Sequence, residues 1–177
     1  MNDEFNTVIA LPIRDDVEGL NETIKNQLRQ IKPETILFLK KINSLNISIL
    51  NESFQVKKNR INENLWSLTK GDNITNYFVH EQLFKRPSEI VEDKREKTRK
   101  TKVTLAFPIK DSCDGRIFSY LPTEIYTEFK FLMNLDFVLQ TSRESFNVDK
   151  PWNIWLKNLL PSVFINAFEI MLKSKDL

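Results

Sequence analysis

Between Leu45 and Phe84 the apolar side chains come in short runs, and this spacing constrains the fold more than any other feature of the chain. The runs are Ile47-Ser-Ile-Leu50, Phe54-Gln-Val56, Leu65-Trp-Ser-Leu68 and Tyr77-Phe-Val-His80. Asn, Glu and Gly-Asp turns separate them. Runs this short, rich in β-branched and aromatic residues, predict an antiparallel meander. Strand-like runs resume at 103–109, 116–120 and 129–139.

Helical spacing brackets this region. Leu20, Ile24, Leu28 and Ile31 predict an amphipathic helix over 18–31. Pro33 opens a second, shorter helix carrying Ile36, Leu37, Leu39 and Ile42. A long helix is expected over 151–173, with Pro161 kinking or splitting it. Before all of these, residues 7–13 read as a strand ended by a proline. Together the patterns predict an α+β protein: a mixed or mainly antiparallel sheet with packed helices.

Residues 85–102 break the apolar pattern, with eight Lys or Arg against four Asp or Glu. They read as a mobile, solvated connection between strands. Nucleic-acid surfaces interleave basic and aromatic residues, and this run contains no aromatic. A net charge of +2 adds no further argument for a nucleic-acid partner.

Only three glycines occur, Gly19, Gly71 and Gly115, and no two are neighbours. Phosphate cradles need clustered glycines so that backbone amides approach the oxygens. No P-loop, dinucleotide fingerprint or glycine-rich lid is possible here. His80 and Cys113 are single, which supports neither a zinc site nor Cys–His catalysis. One cysteine allows no internal disulfide, no apolar run is long enough for a membrane span, and the acidic start lacks a signal-peptide pattern. These features lead to the expectation of a cytoplasmic protein without a membrane partner.

The chemically most suggestive stretch runs from Phe131 to Phe146 and on to Pro151-Trp-Asn-Ile-Trp155. A mostly apolar strand enters a short polar turn that presents Arg143 between Ser142 and Glu144. Asp149 and Pro151 then set up a helix start, with Trp152 and Trp155 on one face. A strand, an arginine and a clamped helix make a rigid mount for a guanidinium. Such a mount suits a charge that must meet a phosphate at a fixed distance.

The same residues resemble a known family. Asp136-Phe-Val-Leu-Gln-Thr-Ser-Arg-Glu144, followed by Trp152-Asn-Ile-Trp-Leu156, is similar to the segment after the ATP-binding domain in sacsin-like and NO VEIN-like proteins. Ile117-Phe-Ser-Tyr-Leu-Pro-Thr123 and Glu34-Thr-Ile-Leu-Phe-Leu-Lys-Lys-Ile42 also resemble blocks of that family, in the same order. These proteins are distant relatives of the ninety-kilodalton heat-shock chaperones within the GHKL ATPases. The chaperones carry a comparable Leu-Asn-x-Ser-Arg-Glu turn, and Gln140 stands where they have Asn.

The resemblance implies that residues 1–16 close a preceding ATPase domain and that 17–177 form a middle-domain-like unit. Arg143 is then the catalytic residue, reaching the γ-phosphate, while Gln140 and Ser142 support the nucleotide contact. The acidic-Asn box and the Asp-x-Gly-x-Gly motif of the superfamily's ATP site are absent from this sequence. No cofactor and no activity are therefore expected of the chain alone. ATP and magnesium belong to the neighbouring domain, and the implied partners are that domain and a client protein. The competing reading is a non-catalytic module that binds a protein or nucleic acid.

Overall fold

Among the described residues a single eight-stranded sheet organises the fold, with a long helix on one face and a short irregular segment on the other. The computed structural model describes Pro12, residues 18–140 and residues 145–174. The strand expected over 7–13 lies outside the described residues apart from Pro12. Helix α1 (Leu20–Arg29) comes first, followed by a 3₁₀ turn at Pro33–Ile36. The strands are β1 (Ser44–Ile49), β2 (Glu52–Arg60), β3 (Leu65–Lys70), β4 (Asn73–Lys85), β5 (Lys100–Pro108), β6 (Gly115–Ser119), β7 (Leu121–Thr127) and β8 (Leu132–Asn134). Helix α2 (Pro151–Lys173) follows. This is the expected α+β architecture, a mixed and mostly antiparallel sheet with helices.

Strands β1 to β5 lie side by side in chain order, each antiparallel to the next. Beyond β5 the order becomes β8, β6, β7, and β6 runs parallel to β8. The β3–β4 reversal needs only Gly71 and Asp72, because Gly71 adopts φ +58° at the first turn position. Strand β7 escaped the sequence reading. It carries Pro122, which only an edge tolerates, and β7 is the end strand of the sheet.

Alternation along the strands builds a core on each face. Phe78, Val103, Leu105, Ile117 and Met133 point toward α2 and meet Trp152, Leu156, Val163 and Ala167. Their neighbours Tyr77, Val79, Ala106, Phe118 and Leu132 face the other way, against Ile36, Leu37 and Phe38. Fully burying a large apolar side chain is worth about 1.5–3 kcal/mol, so each layer contributes heavily to stability.

Two helical expectations need correction. The helix expected from Pro33 to Ile42 is one 3₁₀ turn followed by irregular chain. Ile36, Leu37 and Phe38 are consecutive and all buried, at 1%, 0% and 7% exposure. Helical geometry turns about 100° per residue and cannot put three successive side chains on one buried face. Helix α2, in contrast, is not split at Pro161 but runs unbroken through it, with the proline exposed. No helix among the described residues is long and apolar enough to cross a membrane.

The charged stretch 85–102 is a connection between β4 and β5, but its ends are strand. Lys85 pairs with Lys100, Phe84 with Thr101 and Leu83 with Lys102. Thr101 is buried. Between these ends, Arg86 donates to the carbonyl of Arg95 at 3.0 Å, and a short 3₁₀ turn spans Asp93–Arg95.

Candidate functional site

Arg143 and Ser142 lie outside the described residues, as do Thr141 and Glu144. What is described is the base that carries them. Leu139 and Phe146 form an isolated antiparallel bridge, and the Gln140 N–H donates to the Ser145 carbonyl at 3.0 Å. The chain therefore leaves and returns at one place. Gln140 itself is exposed at the edge of this reversal.

Aromatic and amide contacts hold the base. Phe137 stacks on Phe146 with ring centroids 4.5 Å apart. Asn153, 1% exposed, accepts the Val138 N–H at 2.9 Å and donates to the Val138 carbonyl at 3.0 Å. Its amide also donates to the Asn147 carbonyl at 2.8 Å. Trp152, fully buried, donates its indole N–H to the Asp136 carbonyl at 2.8 Å and meets Trp155 edge-on. The first turn of α2 thus binds the chain on both sides of the reversal.

The helix start differs in detail from expectation. Pro151 occupies the first turn as predicted, but the residue before it is Lys150, with no side-chain cap. Asn147 makes the local turn instead, accepting the Asp149 N–H at 3.1 Å. Sequence reasoning missed Asn147 and Asn153. An Asn three residues into a helix that starts with Pro-Trp was the available signal, because mid-helix Asn often earns its place through a backbone bond.

Charge ties the β4–β5 connection to the same base. Arg95 grips Asp136 with two bonds, Nε to Oδ2 at 2.8 Å and Nη2 to Oδ1 at 2.7 Å. Burial pushes the Asp136 carboxyl above its usual range, and the Arg95 guanidinium pulls it partly back. On the far side, Lys150 Nζ sits 2.9 Å from Oε2 of Glu92, which is 4% exposed. One loop therefore clamps the chain ahead of the reversal at Asp136 and behind it at Lys150.

Other chemistry is poorly supported. Among the described residues no group of three His, Cys, Asp or Glu could hold a metal ion. His80 lies on the α2 face of β4, between Phe78 and Gln82, whereas Cys113 packs with the opposite core layer. The sheet separates the two. Burial, with the charges of Glu34 and Asp114, raises the Cys113 thiol to about 11, so it is no thiolate at neutral pH.

Fold and site together define an α+β domain that presents a braced chain reversal at the N-terminus of its long helix. Over 176 aligned residues the chain is 27% identical to the protein NO VEIN of Arabidopsis thaliana, covering 92% of this chain. It spans only 6% of the length of that plant protein. No family model matches the chain. No solved structure matches it either.

Proposed function

We propose that this chain acts as the middle, transducer-like segment of a sacsin-like, chaperone-related GHKL ATPase. In this reading it couples ATP binding in a neighbouring domain to a change of domain arrangement. Arg143 reaches the γ-phosphate when the two domains close, and stabilises charge that develops in the transition state. ATP and magnesium are held by the neighbouring domain, and the assembly is cytoplasmic and handles a client protein.

The observation that supports this reading is the brace on the reversal. Three bonds of Asn153 and one of Trp152 fix the backbone at Asp136, Val138 and Asn147. A catalytic charge must be held within about half an ångström of its productive position, and a braced mount meets that need. Asn153 and Trp152 also belong to the blocks that resemble sacsin-like and NO VEIN-like proteins.

A second reading is a protein-interaction module. It is favoured by Ile165, Phe168 and Leu172, a helically spaced row on α2 left 57%, 52% and 72% exposed.

The test uses the full-length gene product that contains this segment. Arg143→Ala should lower ATP turnover by about 10²-fold, as for other lost transition-state donors, with ATP affinity little changed. Arg143→Lys should rescue poorly, since an ammonium lacks the planar fork. Normal turnover in a folded Arg143→Ala protein would remove the ATPase reading and leave the interaction module.

A further inference from the structure

The face of the sheet opposite α2 carries a second, unrelated feature. Residues 37–43 stand over β2 to β5 and leave a cleft of about 560 Å³. Clefts of roughly 300–1,000 Å³ take small molecules. The charged groups lining it are Lys40, Lys58, Arg60, Lys102 and Glu81. Lys102 and Glu81 neutralise each other at 2.8 Å. Among the described residues, Lys40, Lys58 and Arg60 have no carboxylate within ion-pair distance.

These cations are held in place by groups that leave their charge intact. Lys58, only 9% exposed, donates to the carbonyls of Leu37 and Leu39, and its ammonium lies 5.5 Å from the Trp66 ring centroid. Arg60 donates to the carbonyls of Asn62 and Glu63 at 3.1 and 3.0 Å, with its guanidinium 5.7 Å from the same ring. Lys40 lies 5.3 Å from the ring centroid of Tyr120. An ammonium has three donors and a guanidinium five, so Lys58 and Arg60 keep N–H groups unspent. The indole N–H of Trp66 is also buried, with no acceptor among the described residues. Burial disfavours the charge on Lys58, and Glu81, already shared with Lys102, pulls the other way.

An aromatic ring lines the cleft from the single residue that joins β6 to β7. Tyr120 adopts φ +63°, a left-handed conformation that bulky residues seldom take. It is held there by Asn134, 6% exposed, whose Oδ1 accepts the Tyr120 N–H at 2.8 Å. Both residues line the cleft. The tight β6–β7 reversal accounts for this φ and carries the Tyr120 ring at the cleft wall.

We propose that this cleft binds a small phosphate ester, its phosphate set among Lys40, Lys58 and Arg60 and its organic part against Trp66 or Tyr120. The unspent groups named above are all donors, and a phosphate offers only acceptors. A phosphate monoester carries about −1.5 to −2 charge at neutral pH, which matches several cations better than one carboxylate does. The site lies apart from the braced reversal, and the proposal does not rest on the ATPase reading.

Phenyl phosphate is the probe, titrated into the ¹⁵N-labelled chain at low salt while the Trp66 indole signal is followed. That signal is assigned by its loss in Trp66→Phe. A saturable shift is expected, weakened at least tenfold in the double variant Lys40→Gln, Arg60→Gln. Both residues are exposed, and an unchanged thermal midpoint confirms that the variant is folded. Benzoate should bind more weakly than phenyl phosphate. Flotation with vesicles of phosphatidic acid in phosphatidylcholine separates the two sources of the group: recruitment lost in the double variant assigns the site to a lipid headgroup, and no recruitment to a soluble ester. Absence of a saturable shift, equal binding by the double variant, or preference for a glutamate-rich peptide would overturn the proposal.

Discussion

Asn153 pairs with Val138 as a neighbouring strand residue would. Its side-chain amide accepts from the Val138 N–H and donates to the Val138 carbonyl, at 2.9 and 3.0 Å. A helix side chain thereby completes the backbone pairing of a segment that has just left the sheet. Buried backbone groups must find partners, and among the described residues no strand runs beside Val138 to provide them.

Replacing Asn153 with Ala should therefore destabilise the fold by about 2–4 kcal/mol, since each buried group left unpaired costs about 1–3 kcal/mol. Asn153→Asp should be no better. A carboxylate has no N–H to give to the carbonyls of Val138 and Asn147. Urea unfolding of the two variants against the parent chain measures this, and a loss under about 1 kcal/mol in both would contradict the brace.

Leu50 offers a gain. It sits in the two-residue connection between β1 and β2 with φ +51° and 82% exposure, so it bears left-handed strain and buries little. Leu50→Gly and Leu50→Asn should each stabilise by about 0.5–1 kcal/mol, because both residues accept positive φ more readily. Leu50→Val should destabilise, as a β-branched residue tolerates this region worst. Thermal midpoints of the three variants read the order directly.

His80 sets a pH dependence. Burial lowers its pKa from the ordinary 6.5, although a bond to Gln82 and the charge of Glu81 pull it up. Its Nε2 is buried, with no partner among the described residues. The unfolded chain binds a proton at this ring as pH falls through about 6.5, whereas the native chain resists until its lower pKa is reached. The stability from keeping His80 neutral is thus complete above pH 6.5. It declines as pH falls, by at most about 1.4 kcal/mol per unit, and levels off below the folded pKa. His80→Gln should flatten that slope relative to the parent chain in urea midpoints collected across the window.

What the sequence made legible was local. The α2 bounds follow from unbroken apolar spacing behind Pro151, and β3 from Leu65-Trp-Ser-Leu68. Strand β4 is far longer than its apolar run, reaching from Asn73 to Lys85, because pairing to β3 and β5 carries polar residues along with it. The helix start of the mount was visible in the sequence, whereas the strand expected over 129–139 shrinks to Leu132–Asn134, and 135–139 is irregular chain apart from the Leu139–Phe146 bridge. The fastenings of the mount were not visible. Arg95 meets Asp136 across 41 positions and Lys150 meets Glu92 across 58, and nothing in either local pattern names its partner. The cleft was invisible for the same reason, since Lys40, Arg60 and Tyr120 come from three separate parts of the chain.

The placement of β8 bears on the order in which the molecule is made. Strands β1 to β5 each pair with the strand just synthesised, so a ribosome can deliver them as a growing meander. The β6–β7 hairpin cannot join that meander on its own, for β6 touches the rest of the sheet only through β8. Until the three residues of β8 emerge and pair with β5 and β6, the hairpin has only side-chain packing, such as Phe118 on Phe38, to hold it to the meander. Pairings between distant segments are the slow part of folding. The smallest of these strands thus makes the pairing that joins the β6–β7 hairpin to the meander.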